Sequence, residues 1–265
     1  MKTEIFYFSG TGNSFALARD LGESMPGSVV SPIAGLVTNE HVKTDAERIG
    51  FVFPLFFWGV PEIVQRFVRK IEINNASYVF FAVTSGGLSS PHYVSGFFKK
   101  ELKRKGARLN SGFRVVMPSN YIRVYDLEPQ KRIDKKIRNM KFMVNSISKT
   151  VKTLEDEGLK DRIPFVSYLF NRLWEMRLKK SDKDFYADEK CNKCGTCLKI
   201  CPVSNITLMD GKPVWNGKCQ ECLACLHYCP QTAIQSRNKT EHKGRYHHPD
   251  LPAVDIALQK NGGNL

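Results

Sequence analysis

Two runs of cysteine constrain this chain more than any other feature. The first holds Cys191, Cys194, Cys197 and Cys201, followed by Pro202. The second holds Cys219, Cys222, Cys225 and Cys229, followed by Pro230. Both read C-x2-C-x2-C-x3-C-P, each cysteine recurs 28 residues on, and the two runs account for all 8 cysteines of the chain. Three thiolates spaced three residues apart wrap one face of a cubane iron–sulfur cluster, while the fourth, beyond a turn of helix, points at a neighbouring cluster. The spacing therefore assigns Cys191, Cys194, Cys197 and Cys229 to one 4Fe–4S cluster, and Cys219, Cys222, Cys225 and Cys201 to a second. Structural zinc needs two separated pairs around one tetrahedral ion, and three thiols in so short a stretch crowd that geometry. Disulfides need an oxidising compartment, which nothing else in the sequence suggests.

This stretch resembles the two-cluster bacterial ferredoxins. The eight cysteines, Pro202 and Pro230 carry the resemblance, which covers about residues 185–236. Between the runs, Ile206–Met209, Asp210-Gly211 and Lys212–Trp215 predict a hairpin with a favoured turn dipeptide. Ile206 and Ile234 are also 28 apart and are expected to pack on equivalent sides of the two clusters. His227 lies within a cluster loop and reads as packing rather than ligation.

The other end of the chain has a different character. Residues 4–8 are an apolar run fit for a buried strand, and Ser9-Gly10-Thr11-Gly12-Asn13-Ser14 follows at once. Phe15, Leu17, Ala18 and Leu21 then give a helical face. A glycine-rich turn between a strand and a helix N-terminus presents backbone N–H groups and hydroxyls to an anion. The turn lacks the lysine and spacing of a P-loop, and Phe15 stands where a dinucleotide fingerprint has its third glycine. Further strands are expected at Ser28–Ile33, Ile49–Phe53, Tyr78–Thr84 and Phe113–Met117, with a helix starting at Pro61 and another over about 91–105. Alternating strands and helices imply a parallel sheet. Two more special loops, Pro54–Pro61 and Ser85-Gly86-Gly87, follow the third and fourth of these strands. They share the carboxyl edge of the sheet with the glycine-rich turn, where ligands of such folds sit.

Residues 3–122 resemble the flavodoxin fold, and Ser9–Ser14 resembles its phosphate loop. The resemblance implies an FMN held by Ser9, Gly10, Thr11, Gly12, Asn13 and Ser14. Pro54, Leu55, Phe56, Trp58 and Gly59 would lie beside the ring, and Thr84, Ser85, Gly86 and Gly87 at its carbonyl edge. Gly59 resembles the glycine whose peptide reorients when the flavin N5 becomes protonated. Phe57 reads as a core aromatic. Asn120, after the fifth strand, is placed to reach the flavin. The chain departs from short flavodoxins in lacking an acidic cluster around the third loop, which leaves Tyr93 without an assigned role there.

Residues 128–157 predict a long helix. Ile133, Ile137, Met140, Val144, Ile147, Val151 and Leu154 form one apolar stripe, read as packing on the sheet, and Gly158 is expected to end it. A second helix over 164–180 reads as a bridge between the cofactor units. After Ser236 the chain turns polar, and His242, His247 and His248 read as parts of a surface tail. The expected organisation is a flavodoxin-like α/β domain (1–122) with a five-stranded parallel sheet, a helical extension and bridge (123–184), a small α+β two-cluster ferredoxin domain (185–236) and a polar tail (237–265).

As a whole the chain resembles the fused flavodoxin–ferredoxin proteins of anaerobes. That resemblance implies an electron-transfer flavoprotein passing electrons between two 4Fe–4S clusters and FMN. The alternative is an FMN-dependent reductase of a quinone, flavin or other small molecule. The formal net charge of +14 is spread along the chain; two clusters and a flavin phosphate would reduce it to about +8. A basic surface suits an acidic redox partner, a ferredoxin or flavodoxin, or a redox enzyme. The ligand-spaced cysteines argue against a nucleic-acid binder. The longest apolar run, Ile49 to Pro61, is too short and too interrupted to span a bilayer. The N-terminus does not read as a signal peptide, and oxygen-sensitive clusters with no other cysteine suggest a reducing cytoplasm, that of an anaerobe.

Overall fold

The computed structural model describes residues 1–87, 92–156, 181–237 and 239–262. Five strands form one parallel sheet: β1 (Thr3–Tyr7), β2 (Ser28–Pro32), β4 (Arg48–Pro54), β6 (Tyr78–Ser85) and β7 (Leu109–Val116), in the order β2-β1-β4-β6-β7. Leaving out the two-residue strands β3 (Lys43–Thr44) and β5 (Glu72–Ile73), which pair with each other, this is the 2-1-3-4-5 order of flavodoxin-like sheets. Alternation along the strands sends Ile5, Tyr7, Val52, Phe80 and Ala82 into one core, and Phe6, Phe8, Phe51, Phe53, Phe81 and Val83 into the other. Helices α1 (Asn13–Ser24) and α5 (Gln130–Thr153) contribute to the first core. Helices α2 (Ile33–Leu36), α3 (Glu62–Lys70) and α4 (His92–Lys103) contribute to the second.

The fifth strand starts four residues earlier than the sequence suggests. Ser111 and Gly112 pair with Phe80 and Phe81 of β6, and Asn110 is the extra residue at an irregularity opposite Val79/Phe80. There the Asn110 side chain accepts the Val79 N–H at 2.9 Å. Helix α5 packs with Met140, Val144, Ile147 and Val151 into the first core and touches α1 and β7. It ends at Thr153, before the expected stop. Leu154 adopts a left-handed conformation (φ 57°), and the Glu155 carbonyl accepts Tyr78 OH at 2.6 Å and Ser111 Oγ at 3.0 Å, which draws the chain back onto the sheet. The expected Gly158 stop and the helix over 164–180 lie outside the described residues.

The C-terminal unit is built on the 28-residue repeat. Strand β8 (Phe185–Ala187) pairs with β11 (Ile234–Ser236), and β9 (Ile206–Met209) with β10 (Lys212–Trp215). Asp210 and Gly211, at φ 52° and 79°, form the hairpin turn. The backbone repeats as the sequence does: left-handed residues recur in the pairs Lys193 and Glu221, Gly195 and Leu223, and Ser204 and Thr232. Short helices α6 (Thr196–Ile200) and α7 (Ala224–His227) follow the second of these positions. The two units are continuous, since Ile200, Ala224 and Tyr228 lie in the same core as Tyr7, Phe15 and Leu17.

The segment after Ser236 is not a surface tail. Thr240, Tyr246, His248, Leu251, Ile256 and Gln259 are buried, and helix α8 (Ala253–Leu258) places Ile256 in the first core. Arg245 anchors the start by donating to the carbonyls of Leu226, Ile234 and Thr240. His248 N–H donates to Thr11 O at 2.8 Å, and Gln259 exchanges two bonds with the backbone of Ser9. The segment is thus a strap across the back of the glycine-rich turn.

Burial lowers the pKa of His248, against the pull of Asp250. The folded state therefore takes up this proton less readily than the unfolded chain. The unfolded chain begins to protonate His248 near pH 6.5, so the contribution is intact above that pH and is lost as pH falls below it. In chemical denaturation, stability should fall on acidification from about pH 7.5 to about pH 5.5. His248→Asn, whose amide oxygen can still accept the Asp250 N–H now received by Nδ1, should show a shallower loss. Equal pH slopes would contradict this.

Candidate functional site

The carboxyl edge of the sheet opens into a cavity of about 820 Å³. Its lining brings together Ser9, Gly10, Thr11, Asn13 and Ser14 from the first loop, Pro54, Leu55, Phe56 and Trp58 from the second, Thr84, Ser85, Gly86 and Gly87 from the third, and Asn120. Gly12 and Gly59 are not part of the lining. Gly12 sits behind the turn at φ 93°, with His248 and Leu251 packed where a side chain would go. Gly59 closes a tight turn with Phe56, through Phe56 N–H to Gly59 O at 3.2 Å and Gly59 N–H to Phe56 O at 2.8 Å.

That turn puts two aromatic residues in left-handed backbone, Phe57 at φ 45° and Trp58 at φ 60°. Bulky side chains seldom adopt this conformation, and strain of this kind collects at ligand sites. Phe57 is therefore not the core aromatic expected from the sequence. It is half-buried, lines the cavity and meets Tyr121 edge-on at 5.5 Å. Trp58 is 45% exposed at the cavity mouth.

Cross-bonds hold the loops to one another. Ser14 Oγ and Thr84 Oγ1 are 2.7 Å apart, Leu55 N–H donates to Thr84 O at 2.9 Å, and Asn13 Nδ2 donates to Pro118 O at 3.1 Å. Within the turn, Ser9 N–H is committed to Gln259 and Gly12 N–H to Ser9 Oγ at 3.1 Å. An anion would be met by the remaining N–H groups at the start of α1 and by the hydroxyls of Thr11 and Ser14. Thr11 Oγ1 accepts Asn120 Nδ2 at 2.7 Å, which leaves its own proton available to a ligand.

Beside Tyr121, which follows Asn120 after the fifth strand, sequence reasoning missed the far wall of the cavity, which includes Tyr125, Arg132, Lys136, Glu221 and Cys222. The last two belong to the second cysteine run. The Cys219–Cys222 loop lies directly on the glycine-rich turn: a Cβ at Gly10 would stand 3.0 Å from Cys222 C and Cβ, and closer still to its carbonyl oxygen. Glu221 is fixed by an ion pair to Arg123 and by Tyr121 OH at 3.3 Å. Arg123 also pairs with Asp184, which pairs in turn with Arg237, and the guanidinium lies over the Phe185 ring. No motif marks this network, because its members come from four separate segments.

The eight cysteines surround two small cavities. Cys191, Cys194, Cys197 and Cys229 line one, together with Ile234. Cys201, Cys219, Cys222 and Cys225 line the other, together with Ile206. The fourth cysteine of each run thus faces the cavity of the other run, and the two isoleucines take equivalent places. Among the described residues no three Cys, His, Asp or Glu side chains converge as ligands of a single ion. Amide-to-sulfur bonds repeat as well, Asn205 N–H to Cys201 and Ala233 N–H to Cys229, each 3.2 Å.

The two cavities differ in setting. Burial raises the thiols of the second: Cys219 up to about 12, with Cys222 and Cys225 well above their usual range. In the first, burial raises Cys197 to about 11, whereas Cys194 is exposed and hydrogen bonds from Thr196 lower it. Metal binding must displace such protons. The second cavity shares Cys222 with the large cavity, and the first reaches the surface at Cys194, near Lys193 and Lys199.

Residues 181–239 match the family model described as "4Fe-4S dicluster domain". The C-terminal unit is a 4Fe–4S domain on that match. No curated protein matches the chain. Among solved structures, "NAD(P)H:quinone oxidoreductase from Methanothermobacter marburgensis" is 8% identical, with a TM-score of 0.40, over 57% of this chain and 97% of that one. "The Structure of Trp Repressor Binding Protein from Bacillus subtilis" is 10% identical, with a TM-score of 0.33, over 57% of this chain and 98% of that one. Both scores are low, and the assignment of the N-terminal fold rests on the strand order.

Proposed function

We propose that the chain is an electron-transfer flavoprotein in which two 4Fe–4S clusters exchange electrons with an FMN. The observation that carries this reading is the shared wall. Cys222 lines both the second cysteine cavity and the large cavity at the sheet edge. FMN accepts two electrons one at a time and each cluster carries one, so their combination converts between one- and two-electron partners. The chain's part is to hold the phosphate at Gly10–Ser14, to flank the ring with Phe56, Phe57 and Trp58, and to press the Cys219–Cys222 loop against that site. Reorientation of the peptide before Gly59 would break the bond from Gly59 N–H to Phe56 O.

The order of sites follows from exposure. The Cys191 cluster, with Cys194 at the surface, is the outer one, and the Cys219 cluster is the inner one beside the flavin. The outer face carries Lys193 and Lys199 on a chain of net charge +14, which suits an acidic redox protein. Its electron exchange with an acidic ferredoxin should slow at least severalfold between about 0.05 and 0.5 M salt, as the Debye length shrinks. A salt-insensitive rate would remove the docking claim.

One observation favours a second reading, a reductase of a quinone, flavin or other small molecule. The cavity extends past the loops to Tyr125 and Arg132, where a small substrate has room beside the ring. Steady-state assays with quinones, free flavins and NAD(P)H separate the two. Robust turnover without any protein partner favours the reductase, and turnover only with a redox protein favours the carrier. The described residues contain no helix long and apolar enough to cross a membrane.

A further inference from the structure

One buried hydrogen-bonded chain joins the cysteine loops to the glycine-rich turn, and His227 is its centre. This residue lies between Cys225, which lines the inner cavity, and Cys229, which lines the outer one. Both of its ring nitrogens are engaged. Tyr246 N–H donates to Nδ1 at 3.1 Å, so Nε2 carries the proton and donates to Asn120 O at 2.7 Å. Each partner continues to the turn: Asn120 Nδ2 donates to Thr11 Oγ1 at 2.7 Å, and Tyr246 OH donates to Asn13 Oδ1 at 2.7 Å. His227, Tyr246, Asn13 and Thr11 are all buried, and Asn120 is half-buried, so water does not readily replace the bonds among the buried members.

We infer that His227 is a positioning residue for the flavin-binding turn, and that flavin affinity therefore depends on the cluster-bearing loop being in place. The inference rests on the FMN reading above. Thr11 and Asn13 stand in the cavity lining, and their side chains are aimed by groups whose own positions are set by residues 225–229. A network of this kind holds its geometry only while every member is satisfied. Loss of the imidazole leaves the buried Tyr246 N–H without this partner, leaves Asn120 O with only its second donor, Ile122 N–H at 2.9 Å, and frees two side chains of the turn together.

The test is titration of FMN into flavin-depleted, cluster-loaded protein, followed by quenching of flavin fluorescence, with iron counted in the same samples. Wild type should bind one FMN per chain. His227→Phe should bind it about tenfold or more weakly while keeping about eight irons. His227→Gln can still donate to Asn120 O, and His227→Asn can still accept Tyr246 N–H, so each should recover part of the affinity. Recovery of that kind distinguishes aiming of the turn from bulk packing. Tyr246→Phe removes only the bond to Asn13, touches no cysteine, and should weaken FMN several-fold. If His227→Phe loses iron, the Tyr246→Phe result decides. Wild-type affinity in His227→Phe at full iron, or in Tyr246→Phe, overturns the inference. Failure of wild type to bind FMN overturns the flavin reading instead.

Discussion

Gly10→Ala should yield a protein with no detectable flavin and only about half the wild-type iron. The added methyl would meet Cys222 O, C and Cβ at 3.0 Å or less. These are the backbone of a ligand-bearing loop and the first side-chain atom of a ligand, and neither can swing aside as the end of a flexible side chain would. Overpacking in a tight core costs about 1–3 kcal/mol when side chains can adjust, and here the adjustment must come from two functional loops. Either the turn shifts and the anion site is lost, or the Cys219–Cys222 loop shifts and the inner cluster is lost. The outer cysteine cavity contains no residue near Gly10 and should keep its iron. Flavin release on denaturation and iron counts on the purified variant measure both outcomes. Wild-type flavin and iron contents in Gly10→Ala would show that the turn and the loop do not meet.

Arg123→Met should lower stability by about 3–5 kcal/mol, the usual cost of leaving buried charges without their partner. Arg123, Glu221 and Asp184 are each at most 6% exposed in their side chains, and the guanidinium serves both carboxylates. Asp184 keeps Arg237. Glu221 keeps only the Tyr121 hydroxyl among its charged and polar contacts described above, and it stands between Cys219 and Cys222. The inner cluster should therefore be lost before the outer one. Arg123→Lys should fall between the two, since one ammonium cannot span both carboxylates as the planar fork does. Urea denaturation of the three proteins, with iron counted before each run, tests this. Equal midpoints for Arg123→Met and wild type would mean that the network contributes nothing to the fold.

Much of the architecture is legible in the sequence because local chemistry dictates it. An apolar run, a glycine-rich turn and a helical face give β1, the turn and α1. Asp210-Gly211 between two short apolar segments gives the hairpin. Ile206 and Ile234 share the repeat of the cysteines and take matching places in the fold. The features that escaped are those settled by distant partners. Asn110 and Ser111 join β7 because the Asn110 amide reaches Val79. Helix α5 stops at Thr153 because Tyr78 and Ser111 hold the Glu155 carbonyl.

The strap escaped for the same reason. Gln259, His248 and Tyr246 have no apolar periodicity, and their bonds to Ser9, Thr11 and Asn13 span most of the chain. Phe57 reads as core by its hydrophobicity, and only its left-handed backbone turns it toward the cavity. Which cysteine run meets the glycine-rich turn was also beyond sequence, since the pseudo-symmetric runs look alike until Cys222 is seen against Gly10.

The most direct test of the central claim is a cofactor count on the full chain purified without oxygen. Flavin is released and identified by chromatography, and iron and sulfide are measured on the same sample. One FMN and about eight irons with as many sulfides per chain are expected. About four irons, no iron, or a chain that takes up no flavin would contradict the claim.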